Sequence, residues 1–325
     1  MKLLVLFPMI DTARFRIPGN MPVELLEEWA CTRKLKKDGN VWYLYSNKFE
    51  GPLGSVIQMK YYPQDVKMNP TPLILVETSL PKLFFGNNVD VLKNTNEVVE
   101  AVKLLESFIS GPLARKVDLS KAELDRIDLC YSHYVGDHVG DYIKYLFKLE
   151  YPKRKTKPYY PTEGVQFYAK SVTLIFYDKY EESKNENALG ILREELSLVR
   201  KKSVREAFGN SSGPVFITDF TADVVEQILQ KENEKLDLND VVIADKTLSL
   251  KVLVDKYGTE QGMRLYGYIC ASSITDNKGL KKLGISKQTI SRNKASIRES
   301  GLAVQIIDSD VKLPSLTIDL KSSVE

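Results

Sequence analysis

Tyr177 and Lys179 stand two residues apart near the end of the run GVQFYAKSVTLIFYDKYEE, Gly164 to Glu182. They are residue types from which a nucleophile with a cation beside it can be built. A phenol of ordinary pKa, near ~10, is a poor nucleophile at neutral pH. A neighbouring metal or cation stabilises its phenolate form. Strand alternation puts Val172, Leu174 and Phe176 on one face, and Thr173, Ile175, Tyr177 and Lys179 on the other. The first face suits a core. The second brings the phenol and the ammonium to roughly 6–7 Å of each other along the strand. An ordinary amphipathic strand would carry the same pattern.

Two further segments have polar faces of this kind. In LDRIDLCYSH, Arg126, Asp128 and Cys130 share one parity, and Ile127, Leu129, Tyr131 and His133 the other. In GILREELSLV, Ile191, Arg193, Glu195 and Ser197 oppose Leu192, Glu194, Leu196 and Leu198. Paired with their polar faces aligned, the three segments would bring two carboxylates, Asp128 and Glu195, to a tyrosine, a lysine and Arg193. Metal-assisted attack on a phosphate uses those types. Mg²⁺ or Mn²⁺ takes carboxylate oxygens, and Lys179 or Arg193 can neutralise charge on the phosphate oxygens in the transition state. A sheet face with cross-strand ion pairs is the competing account, and periodicity does not separate the two. His133 and His138 lack metal-ligand spacing, no His-apolar-His triplet occurs, and His133 sits on an apolar parity, so it reads as a hydrogen-bonded core residue.

The elements that must position these groups follow from the rest of the pattern. Other strand-like runs are KLLVLF, NVWYLYS, GSVIQMKYY and PLILVETS. Helical runs interrupt them: Thr95 to Ser110, with a stripe of Val98, Val99, Val102, Leu105 and Phe108, and DHVGDYIKYLFKLE, with Asp137 as N-cap. Strands and helices without strict alternation predict an α+β fold with a largely antiparallel sheet and packed helices. FGNSSGPVF marks a boundary, giving a mixed domain over residues 1–212 and an all-helical one over 213–325. The chain of 325 residues, 43% hydrophobic, is long enough for two domains. No apolar run reaches the ~18 residues of a membrane span. The opening MKLLVLFPMIDTARF is broken by Pro8 and Asp11 and reads as a buried strand rather than a signal peptide. Three scattered cysteines support neither disulfides nor zinc. These features predict a cytoplasmic protein.

A net charge of +3 is uninformative, but its local distribution is not. YPKRKTKP holds Lys153, Arg154 and Lys155, and VRKKSVR holds Lys201 and Lys202. A single such cluster is a solvated face; several around one site favour a phosphate backbone. Near the C-terminus, GLKKLGISKQTISRNKASIRESGL has helix-turn-helix grammar: Gly284 at the turn, Ser286 as cap, Ile290 and Ile297 inward, Gly301 at the end. Lys287, Gln288, Thr289, Arg292, Asn293 and Arg298 are then exposed and suited to phosphates and base edges. A helical hairpin packing on the first domain or on a second protomer is the alternative.

In order and spacing, LVETSLPKLFFGNNVD, DRIDLCYS, TLIFYDKYEE, GILREELSLVRKKSVREAFG and the C-terminal RLYGYICASS and ISKQTISRNKASIRESGL resemble the gene II/gene X replication initiators of filamentous phages, relatives of plasmid rolling-circle initiators. The resemblance spans nearly the whole chain. It implies an HUH-endonuclease-like sheet and a metal-dependent enzyme that nicks one strand at a phage or plasmid origin. The tyrosine stays linked to the 5′-phosphate, the freed 3′-OH primes synthesis, and reverse attack recloses the strand without ATP. The family's tyrosine and lysine fall on Tyr177 and Lys179. Its acidic residues fall on Asp128, Glu195 and Glu77, assigned to Mg²⁺ or Mn²⁺. Origin DNA, single-stranded or supercoiled double-stranded, is the expected partner, with a host helicase and replication proteins, a homodimer as an option, and no membrane. Arg193, Lys153, Arg154, Lys155, Lys201, Lys202, Lys287, Gln288, Arg292 and Arg298 are the expected DNA contacts. The chain departs from the pattern in lacking the superfamily's histidine pair, and in reading Gly86-Asn87-Asn88 where Gly-His-Asn can occur. Glu194 replaces an apolar or aromatic residue, either as a second acidic ligand or as surface. Tyr168 and Tyr180 are spare, and the opposite parity of Tyr180 argues for a single nucleophile. A non-catalytic DNA-binding regulator on the same fold stays open as the alternative.

Overall fold

The computed structural model describes residues 9–35, 41–63, 71–160, 163–210, 212–239, 241–306 and 312–318. Ten strands among them form one sheet with antiparallel pairing throughout. They are β1 (Met9–Pro18), β2 (Ala30–Leu35), β3 (Val41–Glu50), β4 (Val56–Tyr62) and β5 (Leu73–Ser79). The rest are β6 (Glu123–Tyr134), β7 (Lys155–Pro158), β8 (Gly164–Tyr168), β9 (Val172–Asp178) and β10 (Ile191–Leu198). Their spatial order is β2-β3-β4-β5-β1-β6-β10-β9-β8-β7. The α+β class with an antiparallel sheet and a helical C-terminal region is therefore observed. The KLLVLF run lies outside the described residues, and the first described strand starts at Met9.

Alternation separates the two faces of the sheet. Phe15, Val76, Ile127, Leu129, Leu196, Phe176 and Phe167 are fully buried on one of them. Six helices lie in the first part of the described chain: α1 (Val23–Leu26), α2 (Leu80–Phe85), α3 (Thr95–Ser110), α4 (Val139–Phe147), α5 (Lys179–Ser183) and α6 (Lys201–Ala207). Helix α3 has the bounds its periodicity predicts and buries Val98, Ala101, Val102, Leu105 and Ile109. Its cap is Asn94, whose side chain accepts from the Glu97 backbone N–H. Asp137 does not cap α4. A 3₁₀ turn, Gly136–His138, takes up that residue, and the helix begins at Val139.

The C-terminal region holds α7 (Ala222–Leu236), α8 (Lys246–Tyr257), α9 (Thr259–Ile274), α10 (Asn277–Lys282) and α11 (Lys287–Glu299). Helix α7 packs on β1 and β6, and Val225, Ile228, Leu229 and Leu236 share the core of the sheet. A second core joins α8 to α11 through Leu253, Leu265, Ile269, Leu280, Ile290 and Ile297. Among the described residues no helix is long and apolar enough to cross a membrane.

Glu194 is neither a surface residue nor on the polar face. It is fully buried among the apolar side chains, where its Oε2 lies 2.8 Å from His133 Nε2 and accepts from Asn233 Nδ2 of α7 at 3.0 Å. His133 is thus the hydrogen-bonded core residue its parity implies. Breaking a buried pair strands the remaining partners without water. Glu194→Ala is expected to destabilise the protein by about 3–5 kcal/mol in urea unfolding. Exposed Glu234→Ala, on the same helix α7, is expected to stay within about 0.5 kcal/mol.

Candidate functional site

Register decides what the polar face presents. Arg193 of β10 stands opposite Tyr177 of β9 and Ser132 of β6, Glu195 opposite Ile175 and Cys130, and Ser197 opposite Thr173 and Asp128. Opposed residues in an antiparallel pair share a face. Asp128, Glu195, Arg193 and Tyr177 therefore converge, as the three parities require. The Tyr177 hydroxyl donates to Glu195 Oε2 at 3.3 Å, and Ser197 Oγ lies 3.5 Å from Glu195 Oε1.

The strand ends differently from a simple extension through Lys179. Asp178 is the cap of α5: its Oδ1 accepts from the Tyr180 and Glu181 backbone N–H groups. Lys179 is the first helical residue, with its side chain 1% exposed. Its Nζ donates to Glu182 Oε2 at 2.6 Å and lies 5.7 Å from the centre of the Tyr177 ring. Tyr-Asp-Lys thus supplies a phenol, a helix cap and a buried ammonium. Tyr180 turns away to pack with Val89, Ala188 and Ile191. Gly164 faces Tyr177 from β8, where a Cβ would come within 2.7 Å of the Phe176 carbonyl oxygen and 2.8 Å of the Tyr177 Cβ. Only glycine leaves that strand pairing undistorted.

Four contributors escape a reading by parity. The registers Ile10↔Leu129 and Ala13↔Ile127 leave Asp11 and Thr12 opposite Asp128 alone, a β-bulge. Asp11, held by Ser79 Oγ at 3.0 Å, consequently acts on Asp128, Glu195, Tyr177 and Lys179 together. Its signal was a carboxylate interrupting an apolar run. The Tyr159 ring packs against that of Tyr177, 5.4 Å centre to centre and tilted by 39°. Asn88 ties the loop after α2 to the site: its carbonyl accepts from Arg193 Nη2 at 3.1 Å and its amide donates to Glu182 at 3.3 Å. Asn87, where a histidine can stand in the family, accepts from the Val89 and Asp90 N–H groups and closes a turn.

Glu77 is placed apart from Glu195. One oxygen accepts from Arg14 and the other from Arg126, each at 2.9 Å. Arg126 also grips Asp128 at 3.0 and 2.6 Å. Arg193, 2% exposed, lies beneath the face with Nη1 at 3.1 Å from Cys130 Sγ. Burial, opposed by Arg126, pushes the Asp128 carboxyl up to about 6. Burial and the charges of Asp128 and Asp11 push Glu195 up to about 8. Burial and the Glu195 charge push the Tyr177 phenol well above its ordinary value. Burial and the Arg193 charge lower Lys179. By themselves these groups oppose a phenolate.

The model of the N-terminal region of the gene II replication-associated protein family matches residues 9–210, more than half of the chain. The chain belongs to that family. Among solved structures it is similar to a rolling circle replication initiator protein from Geobacillus stearothermophilus, at 16% identity and a TM-score of 0.37, over 71% of this chain and 85% of that one. No curated protein matches the sequence.

In this member of the gene II family the expected DNA contacts fall in several places. Lys153 and Lys155 are exposed, whereas Arg154 donates to Glu232 at 2.6 Å and stacks 3.8 Å above the Tyr151 ring. Lys201 pairs with Glu123 at 3.5 Å and Lys202 with Glu206 at 3.7 Å. Helices α10 and α11 are joined through Gly284 (φ +88°), with Ser286 capping α11 and Gly301 (φ +76°) following it. Lys287, Gln288 and Arg292 are exposed, and Arg298 pairs with Asp237. Asn293 is not exposed. It is buried against α9, where Arg264 reaches its Oδ1 at 3.4 Å. A cleft of about 900 Å³, lined by Lys148, Lys153, Arg154, Lys278, Lys294 and Arg298 among others, lies between the Tyr151 loop and the C-terminal helices.

The raised carboxyls have a direct consequence. The folded state prefers Asp128 and Glu195 protonated, relative to an unfolded chain that titrates near ~4. The contribution of these two carboxyls to stability is therefore full below about pH 4 and is lost as pH rises through about 6 for Asp128 and about 8 for Glu195. Glu195 is half-buried, and water screens part of this cost. In metal-free buffer Tm is expected to fall between roughly pH 5 and 8.5. The fall is expected to be smaller in Glu195→Gln, as scanning calorimetry of the two proteins would show.

Proposed function

We propose that the protein is a rolling-circle replication initiator that nicks one strand of origin DNA, with Tyr177 as nucleophile, and recloses it. The observation that carries this reading is the Tyr177 hydroxyl directed at Glu195, on a face that Asp128 shares and with the Lys179 ammonium 5.7 Å from the Tyr177 ring. The Tyr177 oxygen bonds to phosphorus as the bond to the 3′ oxygen breaks; the phenol proton leaves through Glu195, to which the hydroxyl donates, and the departing 3′ oxygen takes up a proton from water. Lys179 and Arg193 supply the positive charge that offsets developing negative charge at the phosphate. The phosphodiester is retained as a phosphotyrosine link, so attack by a 3′-OH reverses the step.

Asp128 and Glu195 are the residues that would hold Mg²⁺ or Mn²⁺. Their fit rests on their electrostatics: two carboxyls are held above their ordinary range by burial and by acidic neighbours, a state that a divalent cation relieves. Among the described residues no group of three His, Cys, Asp or Glu side chains is arranged to hold a metal, so waters or a phosphate oxygen would complete the shell. Glu77, bonded by two guanidinium groups, would fix Arg126 beside Asp128, and Asp128, whose two oxygens both accept from Arg126, would share them with the cation. The bound cation would stabilise the phenolate and polarise the phosphate. Lys287, Gln288 and Arg292 on α11 would contact the origin duplex, with host helicase and replication proteins acting after the nick.

A supercoiled replicon carrying the protein's own origin tests the reading. With Mg²⁺ or Mn²⁺, nicked circles carrying protein on the 5′ end are expected, with none in EDTA and none with Tyr177→Phe. An adduct that survives Tyr177→Phe would move the nucleophile, and binding without nicking would favour a non-catalytic regulator. Independently of activity, Mn²⁺ is expected to raise Tm at pH ~8.5, and Asp128→Asn to remove most of that rise.

A further inference from the structure

The two sides of the Tyr177 site differ in how their cations are used. On the side of β1, β5 and β6, Arg14, Arg16 and Arg126 are all committed to Glu77, Asp125 or Asp128. On the other side the register carries Lys155, Lys157, Gln166 and Tyr168 onto the face of Tyr177. Gly164 pairs with Tyr177, Gln166 with Ile175 and Tyr168 with Thr173, while Lys157 pairs with Gln166 and Lys155 with Tyr168. The alternate residues Thr156, Val165 and Phe167 face the core.

Lys155, Lys157 and Tyr168 are exposed, and neither lysine has a carboxylate partner among the described residues. Lys157 Nζ lies 4.9 Å from the centre of the Tyr168 ring, so the cation and the aromatic form one platform. After β7 the chain leads straight to Tyr159, whose ring packs against that of Tyr177. Two strand spacings, about 10 Å, separate β7 from β9. Gly164, opposite Tyr177, places no side chain on β8 beside that residue, and Gln166 is the β8 side chain between it and Tyr168.

We infer that the exposed face of β7 and β8 is the docking strip for single-stranded DNA next to the scissile phosphate, with Lys155 and Lys157 on the backbone and Tyr168 stacking on a base. This deepens the nickase reading and rests on it. Exposed cations without carboxylate partners beside an exposed aromatic ring match an unpaired strand, whose bases offer π-faces; a duplex keeps those faces stacked inside. Charge also suits the assignment: the strip carries no acidic residue.

Binding can be measured without chemistry, using full-length Tyr177→Phe protein and fluorescence anisotropy. The probes are a labelled oligothymidylate of about 20 nucleotides and a duplex of similar length, titrated over a range of salt. Lys155→Ala with Lys157→Ala is expected to weaken the single strand and to reduce its salt slope by about 1.4, two contacts of ~0.7 each. Tyr168→Ala is expected to cost about tenfold, Tyr168→Phe little, and duplex affinity should change less than about twofold. Melting curves and circular dichroism check that each variant is folded. Unchanged single-strand affinity and slope would overturn the proposal, and so would an equal loss on the duplex. Failure of the origin-nicking assay would sink the nickase reading but leave this binding readout to stand or fall separately.

Discussion

The antiparallel register of β6, β10 and β9 is the constraint on which the rest depends. It sets Ser132, Arg193 and Tyr177 in one row and Cys130, Glu195 and Ile175 in the next, with Asp128, Ser197 and Thr173 beyond. A slip of one residue would send Tyr177 and Glu195 into the core and bring Phe176 and Glu194 to the polar face. What prevents the slip is the opposite face. Leu129, Leu196, Leu174 and Phe176 are buried there, and each apolar side chain removed from water contributes on the order of 1.5–3 kcal/mol. The core therefore fixes the chemistry by holding the register.

Once the register is fixed, the polar face must accommodate more buried charge than water would solvate. The protein offsets this with guanidinium groups rather than lysines. Arg126 bridges Asp128 and Glu77, Arg14 bridges Glu77 and Asp125, and Arg193 is spread between a thiol and a carbonyl. A planar fork can serve two acceptors at once, and it keeps its charge when desolvated. Lys179 is the exception, with burial lowering its affinity for a proton. Placed against the Tyr177 ring, it is the cation of the site best able to respond to a change of charge on the phenol.

Much of this was legible because the central strands are long and obey strict alternation. Asp128, Glu195, Arg193 and Tyr177 could each be put on the polar parity of its own strand from period two, and His133 on the apolar one, while the alignment of the three strands came from the register. What was not legible came from departures from that period. The bulge at Asp11 and Thr12 adds a residue that parity cannot anticipate. The strand ends at Asp178 because its carboxylate caps a helix, so Lys179 reaches the site from a helical turn. The edge strand β7 is rich in Lys and Pro, a composition that protects an exposed edge and hides a strand from propensity. Asn293 was placed outward by composition, yet the packing of α11 on α9 takes it inward. The partner of Glu194 lies 39 residues away on α7, beyond any local pattern.

Arg193, Glu194 and Glu195 show how tightly the two faces are joined. Three consecutive charged residues are sorted by the pleat: the first and third serve the Tyr177 side, and the second serves the core. Glu194 meets Asn233, whose neighbour Glu232 accepts from Tyr151 and from Arg154 at 2.6 Å. Those last two residues open the segment that continues through β7 to Tyr159, packed against Tyr177. Tyr177 is thus held from one side by β10 and approached from the other by a loop anchored on the same helix, α7. A polar core of this kind costs more desolvation than leucines would. Its return is geometric, since apolar packing tolerates sliding that a bonded histidine, glutamate and asparagine do not.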